Sequence, residues 1–257
     1  VNENAELEIG AGAIFKLNQS NSYNLYVQGT FKANGTSANP IIFTSYRDDS
    51  VGGNTNGGSE FEEGQPGDWY RLYFNGAEPG SYMTHCELRY GGYNNYQLLA
   101  DTNSHLSINN CTITDGYRDG VYIGTSSNVS ITNGSITNNG RYGLYVDATS
   151  RPAVSGVTIS GNSTSSVNIP AELLEDYLAS NSIETGKWVY SSGGIVSEDT
   201  TWPSIGSAWY RITDTVTVTE GSKLTFASGT RFYQPARIIV NENAELEIGA
   251  GAIFKLN

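Results

Sequence analysis

The stretch SINNCTITDGYRDGVYIGTSSNVSITNGSITNNG, Ser107 to Gly140, answers itself after 23 positions: SINNCTITDG from Ser107 returns as SITNGSITNN from Ser130. Within each copy apolar residues alternate with polar ones, the period of a short strand with one face inward and one outward. Working outward, the apolar residues between positions 83 and 169 fall into columns. One runs Leu88, Ile113, Ile136, Ile159; a second runs Met83, Ile108, Ile131, Val154; a third runs Leu98, Val121, Leu144, Val167, with Ala100, Ile123, Val146 and Ile169 beside it. The steps are 23 to 25 residues. Columns plus alternation describe stacked coils, each pairing with the next at about 4.8 Å. Asn and Gly suit the corners because they adopt positive φ at low cost, so TDG at 114–116 and NNG at 138–140 are expected at equivalent corners.

The register continues beyond that block. Leu224 and Phe226 step by 22 to Leu246 and Ile248, which duplicate Leu7 and Ile9, and these step by 24 to Phe31 and Ala33. The duplication is letter for letter: VNENAELEIGAGAIFKLN opens the sequence at Val1 and closes it at Asn257, an offset of 239 positions. Identity at that distance marks a long array of near-identical modules, with this sequence as one period plus an overlap. An artificial duplication of one end gives the same overlap.

Composition narrows the class. The 30 Gly and 17 Tyr, with many Asn, Ser and Thr, favour strands and turns over helices. With 26 Asp and Glu against 14 Lys and Arg, the net charge of −12 argues against nucleic acid and leaves cations or neutral sugars as easier partners. No stretch approaches the roughly 18 apolar residues of a membrane span. No basic-then-apolar leader opens the sequence, which is expected to start inside a repeat. Cys86 and Cys111 are too few for a disulfide scaffold. They share a column and are expected to be stacked, inward-facing thiols; a disulfide is the alternative, although parallel Cβ vectors fit its geometry poorly.

The phrases KLTFASGTRF, GTFKANGTSANPIIFTS, GDWYRLYF, HCELRYGG, IPAELLEDYL and EDTTWP resemble the right-handed parallel β-helix repeats of pectin-lyase-like bacterial surface and secreted proteins. The likeness covers most of the chain. It implies an all-β solenoid of triangular cross-section, an extracellular or cell-surface location, and tandem use; it speaks to fold more than to activity.

Three regions are expected: coils over 1–169 with a projecting loop at 46–68, a helix and irregular inter-repeat junction over 170–215, and the first coils of the next repeat over 216–257. The loop is polar, Gly-rich and too long for a corner. Pro170 in the first turn, Glu172 near the N-terminus, and Leu173, Leu174, Tyr177 and Leu178 on one face predict a helix over 170–180 that caps adjoining solenoid stretches. Trp188, Trp202 and Trp209 are expected to pack in the junction, with a sugar-stacking platform as the alternative.

Candidate chemistry is sparse. Asp48, Asp49, Asn54 and Asn56 offer closely spaced oxygens, with Glu60, Glu62, Glu63 and Asp68 nearby, a composition that suits Ca²⁺ or simply a solvated acidic loop. Related repeats, as the resemblance implies, often carry Asp where Asn54 stands. Arg118 and Arg141 align and are expected as an exposed pair of guanidiniums beside Asp115, with Asp119 near; corner Asp residues bonding their own backbone are the plainer reading. No nucleophile arrangement is recognisable, and His85 and His105 fall at different points of their coils. Outward columns of hydroxyls, Thr112, Ser135, Thr158 and Thr114, Thr137, Ser160, suit ice or carbohydrate or follow from strand propensity alone. Asn34, Asn110, Asn128, Asn133 and Asn162 each open an N-x-S/T triplet for glycan attachment.

These readings converge on a non-enzymatic structural module of an extracellular fibre, stalk or giant adhesin, partnered by copies of itself. The alternative is a carbohydrate-active β-helix, either a polysaccharide lyase or hydrolase or a glycan-binding module, with a groove lined by tyrosines such as the aligned Tyr122 and Tyr145.

Overall fold

The structure, a computed structural model, describes residues 1–19, 25–186, 188–233 and 236–256; Asn257, the last residue of the duplicate, lies outside them. Among the described residues the strands stack in parallel into five sheets. Sheet S1 has six strands, from Glu6–Gly10 to Ala153–Ser155, and sheet S2 has seven, from Ile14–Leu17 to Ser182–Ile183. Sheet S3 has ten, from Leu25–Val27 to Ile253–Lys255, and runs the length of the solenoid. Two short sheets begin late: S4 (Gly194–Val196, Val216–Val218, Ile238–Val240) and S5 (Thr200–Trp202, Lys223–Phe226, Glu245–Ile248).

The sequence columns are the interior. Ile113 pairs with Leu88 on one side and Ile136 on the other, Ile136 pairs with Ile159, and all four are buried. The second and third columns hold in the same way. Each such side chain contributes roughly 1.5–3 kcal/mol when buried, and only a neighbouring coil can bury it. The corners are columns as well. His85, Asn110, Asn133 and Gly156 take positive φ between S1 and S2, and Tyr90, Asp115, Asn138 and Gly161 do so after S2. That single left-handed residue turns the chain sharply, which explains why Asn, Asp and Gly dominate there.

Cys86 and Cys111 are free, buried thiols, with the Cys86 amide donating to Cys111 Sγ at 3.4 Å. The interaction between the two side chains, with Cys111 beside the Cys86 thiol, reinforced by burial, pushes that thiol far above its ordinary value.

A polar ladder crosses the apolar interior beside the S2 corner. Asn139, fully buried, accepts from the Gly116 amide at 3.0 Å and from Gln97 Nε2 at 2.9 Å. Its own Nδ2 donates to Thr137 O and to Asn162 Oδ1, both at 3.0 Å. Asn162 repeats the arrangement one coil on, donating to Ile136 O and Ser160 O. A Cβ at Gly120 would stand 2.8 Å from Asn139 Nδ2, and one at Gly143 would stand 2.7 Å from Asn162 Nδ2, so these positions admit only glycine.

The region after residue 170 departs from expectation. A 3₁₀ turn (Ala171–Leu173) and an α-helix (Leu174–Ser180) form as read, with Ala171, Leu174 and Tyr177 buried. The helix is not an end cap, however. It packs against Ala153–Ser155 on one side and Thr200–Trp202 on the other, taking the place of one strand in the stack. Nor is the chain over 181–215 an irregular junction: Ser182–Ile183, Trp188–Ser191, Gly194–Val196, Thr200–Trp202 and Trp209–Ile212 are strands in register with the coils around them. Coiling continues because the helix is anchored on both sides, by Tyr177 Oη donating to Pro152 O and Trp202 Nε1 donating to Ala171 O.

Two outcomes test this packing. Asn139→Ala strands the Gly116 amide in the interior and should cost about 3 kcal/mol by urea unfolding, against under about 1 kcal/mol for the surface substitution Thr137→Ala. Native protein should leave both thiols unmodified by a disulfide-exchange reagent at pH 8, whereas denatured protein should release two equivalents per chain.

Candidate functional site

The outer face of S3 carries a run of aromatic and cationic side chains. Register on this sheet stacks Tyr26 with Tyr73, Tyr122 with Tyr145, Trp188 with Trp209, and Tyr233 with Lys255. Tyr96 stacks on Tyr122 at 4.5 Å between centroids, Tyr122 meets Tyr145 edge-on at 4.9 Å, and Tyr142 bridges Tyr145 and Tyr190 at 5.7 and 5.4 Å. Farther along, the Tyr233 ring meets both Trp188 and Trp209, at 4.9 and 6.4 Å between centroids. Arg71, Arg141, Arg211, Arg231 and Lys255 each lie over one of these rings at 5.1 to 5.6 Å. Such cation–π contacts hold the rings in place at about 0.5–1 kcal/mol each on a surface.

Two clefts open beside the tryptophans. One, of about 410 Å³, is lined by Gly186, Trp188, Ser207, Trp209, Tyr233 and Lys255. The other, of about 580 Å³, lies among Ser163, Thr164, Glu184, Thr185, Trp188 and Tyr190. Planar rings beside hydroxyls and a carboxylate can stack on and hydrogen-bond a sugar. Trp202 plays no part in this face; it is fully buried against Tyr210, Phe226 and Phe232.

Acid–base groups on the face are tied down. Asp119 is fully buried, with Arg141 Nε 2.6 Å from Oδ1, Arg141 Nη2 on Oδ2, and the Tyr142 amide on Oδ1 at 3.1 Å. Arg118 donates instead to Asn95 Oδ1 at 3.0 Å, so the expected pair of guanidiniums beside Asp115 does not form. Arg141 is drawn inward because a buried carboxylate demands a charged partner. Burial pushes the Tyr142 phenol up to about 12 and raises Tyr96 and Tyr145 as well, so these hydroxyls keep their protons near neutrality. His85 occupies a corner and His105 begins a strand, well apart in role.

The loop at 46–68 has no strand, and most oxygens of the four candidate residues are engaged internally, whereas Asp49 Oδ1 is buried without a partner. Asp48 is buried: Oδ2 takes the Thr44 hydroxyl and Arg89 Nε at 2.5 and 2.9 Å, and Oδ1 takes the Ser50 amide and hydroxyl. Asp49 accepts from the Glu62 amide, Asn54 from the Gly57 amide, and Asn56 from the Gly58 amide. Lys16 Nζ sits on the Asp48 and Gly53 carbonyls, supplying the loop with an ammonium of the protein's own. Among the described residues, no group of three or more His, Cys, Asp and Glu is arranged to hold a metal ion.

Of the glycosylation triplets, Asn34, Asn110, Asn128 and Asn133 are exposed, whereas the Asn162 amide belongs to the interior ladder. The hydroxyl columns bond along the axis, Ser135 to Thr112 at 3.5 Å and Thr137 to Thr114 at 3.2 Å. Sequence reasoning found Tyr122 and Tyr145 but missed Tyr190, Arg211 and Tyr233 on the same face. Their steps shorten to 21 or 22 residues after the helix, and that shortened step is the signal a longer alignment of columns would have caught.

The family model of the right-handed beta helix region matches residues 72–207, more than half of the chain, and the protein belongs to that family. Neither a curated protein nor a solved structure matches the chain. The family holds enzymes and non-enzymes alike.

Burial disfavours the Asp48 carboxylate, but hydrogen bonds from Ser50 and Thr44 and the charge of Arg89 outweigh it and hold the group below its ordinary value of 3.8. The resulting stability is present above the unfolded value and lost as pH falls through the lower folded one. Unfolding midpoints should therefore drop on acidification below about pH 4, and Asp48→Asn should flatten that dependence.

Proposed function

We propose that this protein is a non-enzymatic structural module of an extracellular fibre, stalk or giant adhesin, lengthened by tandem repetition of a 239-residue unit. One observation carries the reading. Ile9 and Ile248 are the same residue of the duplicated segment in the same kind of strand, yet Ile9 is 5% exposed and Ile248 52%. Among the described residues each has one pairing, Ile9 with Ala33 of the following coil and Ile248 with Phe226 of the coil behind it. Continuing the chain as the unit itself continues after residue 18 supplies the coil that covers Ile248 and Leu256, whose counterparts Ile9 and Leu17 are buried and half-buried.

Counting along S1, the helix and S5, nine coils separate the copies, so the unit rises about 43 Å at about 4.8 Å per coil. Electron microscopy of native material should show thin rods with an axial repeat near 4.3 nm, and the native polypeptide should exceed the mass of one unit. Separate rods of one unit each would overturn the proposal.

A second reading, neutral-glycan binding along S3, is favoured by the Trp188, Trp209 and Tyr233 cluster. It anticipates quenching of tryptophan fluorescence by a neutral polysaccharide without release of reducing ends. Trp188→Ala with Trp209→Ala should weaken that binding at least tenfold; an unchanged titration rejects it.

A further inference from the structure

The two copies of the duplicated segment do not occupy equivalent faces. Glu6–Gly10 lies in S1 and its duplicate Glu245–Ile248 in S5, which continues the S1 side across the helix. Ile14–Leu17, however, lies in S2, where Phe15 pairs with Phe43 and Lys16 with Thr44. Its duplicate Ile253–Lys255 lies in S3, where Phe254 pairs with Phe232 and Lys255 with Tyr233. Val1 hydrogen-bonds to Tyr26 and Gln28 of the first S3 coil, whereas Val240 pairs with Val218 in S4.

The cause is visible in the spacing of inward residues. Before the helix, thirteen positions lead from Ile131 in S1 to Leu144 in S3, enough for the intervening S2 strand, and ten lead back to Val154. After it, only six lead from Phe226 in S5 to Phe232 in S3, and sixteen lead on to Ile248, with an S4 strand between. Coil length is nearly unchanged, 23 residues against 22. The chain has moved one side of its cross-section from before S3 to after it, and the helical layer, where S2 has its last strand and S4 its first, is where the move is made.

We infer that successive units join with their faces exchanged: S5 runs on into the next unit's S1, S3 into its S2, and S4 into its S3. This rests on the tandem reading and adds to it. The aromatic face of one unit is then not continued by the aromatic face of the next. It runs instead under the next unit's long loop, because that loop rests on the outer face of the first S2 strand. Lys16 Nζ holds two of its carbonyls, and a Cβ at Gly52 would lie 3.5 Å from Ile14 and 3.6 Å from Lys16. In the duplicate, the same lysine, Lys255, lies over Tyr233 at 5.1 Å, at the end of the aromatic run. Each unit therefore carries one bounded aromatic face, closed at its far end by the neighbour's loop, and the faces of successive units point in different directions around the axis.

Cryo-electron microscopy of native rods, with the chain traced through a junction, decides the matter. The expected map shows the column through Tyr233 and Lys255 running into the next unit's Thr44, with its 46–68 loop over the lysine. A column running from Tyr233 into the next unit's Tyr26 and Tyr73 overturns the exchange while leaving the tandem array standing. Rods of one unit with no junction overturn both.

Discussion

Everything in this protein depends on in-register parallel pairing between coils. Backbone hydrogen bonds run along the axis, so each residue stands beside its counterpart about two dozen positions away, and the interior fills by like meeting like. That constraint reaches past the apolar columns. Left-handed corner residues stack on left-handed corner residues, Asn139 on Asn162, Thr137 on Thr114. A residue is therefore selected by two neighbours of its own kind, and a polar group enters the interior only where a ladder of equals satisfies it.

The helix is where pairing is relaxed without being lost. It substitutes for a strand while burying Leu174 and Tyr177 against both neighbours. A helix has no free edge to demand a particular partner above or below, so the coil on its far side can be redrawn. Two sheets end at or near this layer and two begin, yet the interior continues through Trp202, Tyr210, Phe226 and Phe232. The large aromatics fill a cross-section whose sides have been reassigned.

Legibility in the sequence followed the same division. Leu88, Ile113, Ile136 and Ile159 could be read because their steps are nearly constant and their alternation is clean. The strands between residues 182 and 212 could not, because their columns restart at a new phase and a shorter step. The site residues were harder for another reason. Asp48 reads as an exposed loop oxygen until Arg89, 41 positions away, is brought onto it, and Asp119 and Arg141 meet through the stacking of adjacent coils. Asn162 satisfies a glycosylation triplet by spelling while its amide serves the interior, a distinction that depends on which side of the strand a corner delivers it to.

The uninterrupted third sheet has a mechanical consequence. Among the described residues, the ladder between Trp188–Ser191 and Trp209–Ile212 is the one strand pairing that crosses from the helix-bearing coil to the coil beyond it. Two ladders join the helix-bearing coil to the coil before it, and elsewhere along the rod three share any load. A pull along the axis or a bending moment thus meets its least resistance at this layer, and bending opens the sides away from S3 before S3 itself. A rod built from such units would flex at regularly spaced planes, with S3 as the leaf of each hinge and the coils between behaving as stiff segments.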